Sequence, residues 1–141
     1  MADVHSNETR NYNMTQIRSK DTRLEILIRK YLFSRGLRYR KNDKRYPGRP
    51  DMVFPKHKTI VFANSCFWHG HEGCPGFVMP KSNTEYWRPK IEGNKRRDAE
   101  NIIKLKANGW RVITIWECEL KKAVRDARLT QLYDEIVAIR E

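Results

Sequence analysis

Residues 62–75 read FANSCFWHGHEGCP, so Cys66, His69, His71 and Cys74 lie close together with Phe67 and Trp68 among them. Thiolates and imidazole are the ligands of tetrahedral zinc, and Cys118, at the end of a later apolar run, offers a third thiol. Three cysteines and one histidine would fill the ion's coordination sphere, the pattern of a structural rather than a catalytic site. Spacing leaves His69 and His71 equal as the nitrogen ligand. Three buried thiols without a metal are the plain alternative. An odd cysteine count, in a chain whose polar start MADVHSNETRNYNM predicts a cytoplasmic protein, argues against a disulfide framework.

A second chemistry centres on acids. Asp51 follows Tyr46-Pro47-Gly48-Arg49-Pro50 and opens an apolar run, which puts its carboxylate at a sheet edge. A Pro-Asp step there resembles the first half of the proline–aspartate nuclease signature, whose carboxylate holds magnesium beside a phosphate. The usual second half, an acid and a lysine on the next strand, is missing from Thr59–Ser65. Hydrolysis would need another base, and His69 is placed to serve. The bland reading of Asp51 is a turn aspartate.

The global charge agrees with a polyanionic partner. Lys and Arg number 29 against 17 Asp and Glu, a net charge of +12. Nucleic acid is the obvious class for such a field, and no apolar run is long enough for a membrane span. Arg38, Arg40, Lys41, Lys44, Arg45 and Arg49 crowd one segment that either holds a phosphate backbone or is a solvated face.

The elements that must carry these groups follow from periodicity. Leu24, Leu27, Ile28, Tyr31 and Leu32 form one helical stripe, with Thr22 and Glu25 as a capping box and Gly36 as the stop. A short strand near Tyr39 precedes the basic loop. DMVFP and TIVFA read as a hairpin turning at PKHK. A long helix is predicted with Ser82 and Glu85 at its start, Pro89 near that start and Asn108-Gly109 as its stop. WRVITIWEC is a buried strand, and the segment from Glu119 a final helix. The order α-β-β-β-α-β-α predicts an α/β fold, a mixed central sheet flanked by helices. Residues 1–20 read as a loosely ordered arm and 21–141 as one domain.

Taken together, NMTQIRSKDTRLE, GRPD, VFANSCFWHGHEGC, TEYW and GWRVITIWEC resemble, in order and spacing, the very short patch repair (Vsr) DNA mismatch endonucleases. The resemblance runs from about residue 8 to residue 120. It implies a restriction-endonuclease-like core with a zinc-bound loop. It also implies an Mg²⁺-dependent enzyme that nicks one strand 5′ to the thymine of a T:G mismatch left by 5-methylcytosine deamination. Asp51 matches the magnesium-binding carboxylate, Ala63 the residue whose main-chain carbonyl contacts magnesium, Glu25 an acid holding metal-bound water, and His69 the base. Cys66, His71, Cys74 and Cys118 match the zinc ligands. Phe67, Trp68 and Trp87 match an aromatic wedge entering the duplex, Met14 and Ile17 lie on a DNA-contacting arm, and Lys90 and Asn94 match residues near the mismatched bases.

Departures from the family pattern are local. Asn64 stands where well-known members carry a second catalytic histidine; an amide can bond a phosphate oxygen or water but cannot shuttle a proton. Ser65 replaces a glycine, and the loop gains a residue between His71 and Cys74. The expected partner is double-stranded DNA, with other repair proteins beside it, for a nucleoid-associated monomer. A restriction-type endonuclease with another target and a non-catalytic zinc DNA-binding module are the rivals.

Overall fold

The computed structural model describes residues 22–139. The arm 1–20, with Met14 and Ile17, lies outside the described residues. Helix α1 (Arg23–Ser34) begins where the Thr22 side chain accepts the Glu25 N–H at 3.2 Å. It ends at Gly36, whose φ of 90° suits only a residue without a side chain. Strands β1 (Arg40–Lys41), β2 (Met52–Phe54), β3 (Thr59–Asn64) and β4 (Arg111–Trp116) form one sheet in sequence order. β1, β2 and β3 are antiparallel neighbours, whereas β3 and β4 run parallel. A parallel pair needs a crossover, which helix α2 (Thr84–Ala107) supplies. Helix α3 (Arg125–Val137) closes the chain.

Strand alternation sorts the core onto two faces. Met52, Phe54, Val61, Ile113 and Ile115 meet Ile28 and Leu32 of α1 and Leu129, Leu132 and Ile136 of α3. Val53 and Ile60 point the other way and pack with Leu105 of α2, alongside Tyr46, Phe62, Trp110 and Val112. Burying each large side chain of the first cluster contributes about 1.5–3 kcal/mol, so that face anchors the fold. The mixed sheet between helices bears out the α/β expectation. No helix among the described residues is long and apolar enough to cross a membrane.

Two boundaries differ from expectation. Ser82 does not cap α2: the cap is Asn83, left-handed at φ 56° and without a side-chain cap bond. Asparagine tolerates that conformation, so the chain turns one residue later, while the Thr84 hydroxyl donates toward the Pro80 and Lys81 carbonyls. The last helix starts at Arg125 rather than Glu119. Residues Glu117–Leu120 form a 3₁₀ turn instead, because the Glu119 carboxylate folds back onto the Trp116 N–H at 2.9 Å and also takes Arg128 at 2.7 Å. That turn is what presents Cys118.

Candidate active site and metal centre

The C-terminal end of β3 is where the predicted residues converge. Ala63 lies on the α1 side of the sheet, and its N–H donates to Asp51 Oδ2 at 2.6 Å. The Asp51 carbonyl accepts the Asn42 N–H from the end of β1. Glu25 and Arg29, one turn apart on α1, pair at 2.5 Å although both are buried. Burial raises the Asp51 carboxyl well above the usual carboxylate range, and the neighbouring Glu25 carboxylate raises it further. A buried acid and a partly buried one that repel one another can share a proton or a hard divalent cation. The arrangement therefore fits a magnesium ion.

On the other side of β3, Asn64 is buried and lines a small cavity with Phe62, Thr114 and, from α2, Asp98, Asn101 and Ile102. Asp98 Oδ2 lies 2.6 Å from His69 Nδ1, and both side chains remain about a third exposed (29% and 33%). A carboxylate at Nδ1 selects the tautomer protonated there, which leaves the Nε2 lone pair free to take a proton. The loop carrying His69 leaves β3 directly, and the His69 N–H returns to the Ser65 carbonyl.

The same loop builds a closed ligand cluster. The donor atoms of Cys66, His71, Cys74 and Cys118 all lie within 4.8 Å of one another. Ligands around tetrahedral zinc stand roughly 3.5–4 Å apart, so the cluster needs little adjustment to hold an ion. His69 is absent from the set, and His71 stacks flat on Trp116 with ring centroids 4.0 Å apart. Burial pushes the Cys66 thiol up to about 12 and raises that of Cys118. The Gly76 N–H, donating to Sγ, lowers Cys74. Two thiols held up by burial beside a third lowered by a backbone N–H suit a soft-ligand site, where a cation displaces the thiol protons on binding.

Between these centres the aromatic residues form a cluster separate from both cores. Phe67, Trp68 and Trp87 lie within 5.3–5.5 Å of each other by ring centroid, and all three are partly exposed. Lys90 Nζ stands 5.9 Å from the Trp68 ring and 5.4 Å from that of Tyr86. Asn94 Nδ2 donates to the Trp68 carbonyl at 2.9 Å. None of the three belongs to either apolar cluster of the fold.

Close packing of the loop on α2 depends on Gly70, whose φ is +59° and where a Cβ would sit 2.8 Å from both Ile91 Cγ2 and Lys95 Cδ. Gly70→Ala is expected to destabilise the fold by about 1–3 kcal/mol, read as a Tm lowered by several degrees in differential scanning fluorimetry. An unchanged Tm would mean the loop is not clamped there.

Arg49 adopts φ 47° between Gly48 and Pro50, and its exposed side chain lies two residues from Asp51. Sequence reasoning missed Asp98 as the partner of His69 and Arg29 as the partner of Glu25. Both had a signal: Asn94 and Asp98, like Glu25 and Arg29, are spaced to share a helix face.

The family model described as "DNA mismatch endonuclease Vsr" matches residues 2–74. A relative from Neisseria meningitidis, "Type II nicking enzyme V.NmeAIP", is 50% identical over 137 residues, covering 96% of this chain and 97% of its own. "Type II nicking enzyme V.XorIIP" of Xanthomonas oryzae is 47% identical over 95% of this chain and 98% of its own length. "DNA mismatch endonuclease Vsr" of Escherichia coli is 40% identical over 96% and 87% respectively.

Proposed function

Since the chain belongs to the Vsr family of DNA mismatch endonucleases, we propose that it nicks one DNA strand 5′ to the thymine of a T:G mismatch. The observation that carries the reading is the meeting, at the end of β3, of the neighbouring acids Asp51 and Glu25 with a histidine–carboxylate pair. Phosphodiester hydrolysis needs these two things: a site for charge neutralisation and a base for water.

Asp51 would hold Mg²⁺ with the Ala63 carbonyl, and Glu25 would hold water at that ion. When bound, Mg²⁺ neutralises charge developing on the phosphate and leaving oxygen. His69 takes the proton of the attacking water at Nε2, and Asp98 stabilises the imidazolium that forms. Asn64 lends an amide hydrogen bond to water or a phosphate oxygen. Cys66, His71, Cys74 and Cys118 would hold Zn²⁺, which supplies cross-linking rather than chemistry. Phe67, Trp68 and Trp87 open a base step, at a cost of a few kcal/mol that is least where pairing is weak. Lys90 stands at the mismatched bases, and Asn94 lies near them with its amide holding the Trp68 carbonyl. Arg49 and the neighbouring basic residues hold the backbone, aided by the arm with Met14 and Ile17. The working unit is a monomer on chromosomal DNA in the cytoplasm, one endonuclease domain behind that arm.

The test compares nicking of T:G, C:G and T:A duplexes, in Mg²⁺ or EDTA, by the wild type and Asp51→Ala. Nicking confined to T:G with Mg²⁺ is expected, and Asp51→Ala is expected to bind without cutting. Equal cutting of all three duplexes would favour a restriction-type enzyme, and no cutting by zinc-loaded protein a binding module.

A further inference from the structure

Residues one turn apart on α2 hold consecutive residues of the loop. Asp98 fixes the His69 ring at Nδ1. Asn94, one turn earlier, donates from Nδ2 to the Trp68 carbonyl, which belongs to the peptide unit joining Trp68 to His69. That bond, together with the His69 N–H bond to the Ser65 carbonyl, fixes the peptide plane between the aromatic side chain and the base. An asparagine amide presents donor and acceptor in near-identical shapes, so its orientation must be imposed by a partner. Here the partner is Arg97, whose Nη2 donates to Asn94 Oδ1 at 2.6 Å. Its guanidinium lies over Gly93, where a Cβ would come within 3.3 Å of Nη1. If the Asn94 amide turned over, its oxygen would face the Trp68 oxygen and repel it.

We propose that Arg97 is a positioning residue, acting through Asn94 on the Trp68–His69 peptide so that wedge and base move as one unit. The proposal rests on the endonuclease reading above. A guanidinium on an exposed helix face has a simpler alternative role, contact with a DNA phosphate, and the two predict different things. A serial relay predicts that Arg97→Ala slows single-turnover nicking of T:G duplex by roughly 10- to 100-fold with little change in duplex affinity. It predicts the same loss in Asn94→Ala, no further loss in the double variant, and partial recovery in Arg97→Lys. Phosphate contact predicts independent, multiplying losses and a salt slope of binding reduced by about one; that result overturns the proposal.

A readout without cutting accompanies it. The ¹⁵N backbone amide signal of His69 should shift or broaden in Arg97→Ala and in Asn94→Ala, and partly recover in Arg97→Lys. An unmoved His69 signal overturns the relay whether or not the enzyme is active. Wild-type protein that nicks no duplex overturns the endonuclease reading, while the His69 signal still decides the relay.

Discussion

Asp51→Asn is expected to lower the nicking rate by at least about 10³-fold while leaving a folded protein whose metal-free form is no less stable than wild type. The activity loss follows from charge: an amide keeps the bond from Ala63 N–H but does not bind a hard cation as a carboxylate does. The stability effect follows from linkage. Burial and Glu25 raise the Asp51 carboxyl in the folded chain, so between its unfolded and folded titration ranges the native state binds more protons than the unfolded one. Stability of the metal-free wild type is then fullest below the unfolded value of 3.8 and falls as pH rises toward the folded value, by up to about 1.4 kcal/mol per pH unit. Asparagine removes that slope. Thermal unfolding of both proteins in EDTA from pH 4 to 8 checks it; a wild type that becomes more stable across this window, relative to the variant, would contradict the neighbouring acid pair.

Cys118→Ser should be the most damaging single change outside the acid pair. Cys66, His71 and Cys74 are local to one loop, whereas Cys118 comes from the turn after β4 and is the one ligand of the four supplied by another element. Structural zinc sites contribute on the order of 10 kcal/mol where they are the sole organiser of a fold. Here two apolar clusters stand without any of the four ligands, so part of that energy is redundant. The expectation is a Tm lower by roughly 10 °C, zinc lost to dialysis against a chelator, and nicking reduced at least about 100-fold with far-UV circular dichroism little changed. Full activity in zinc-depleted protein would refute the role of the cluster in holding the loop.

Much of the site could be read before any coordinates because its chemistry comes in compact motifs. Glu25 looked like the second half of a capping box, and Thr22 does cap α1, but the Glu25 carboxylate turns to Arg29 and Asp51. Helical spacing cannot tell those fates apart, since they depend on a strand far away in the chain. Asp98 escaped for the same reason: its spacing from Asn94 marks a shared helix face, but the partner on that face comes from a loop distant in the chain. The strands were plain because short runs rich in Val, Ile and Phe, apolar on both faces in β3, leave few ways to bury them. Boundaries at Asn83 and Glu119 shifted because single side-chain bonds and left-handed residues decide them.

β3 is the piece on which everything is hung. Ala63 lies on the acid side, Asn64 on the α2 side, and the loop with His69 and the ligand cluster begins at once. Side chains alternate along a strand, so a slip of one residue would exchange the two sides and carry the whole loop about 3.3 Å along the sheet. The protein would keep a plausible core and lose every function together. Six parallel pairs from Thr59–Arg111 to Asn64–Trp116, backed by three antiparallel ones to β2, thus lock a single alignment on which both sides of the site depend.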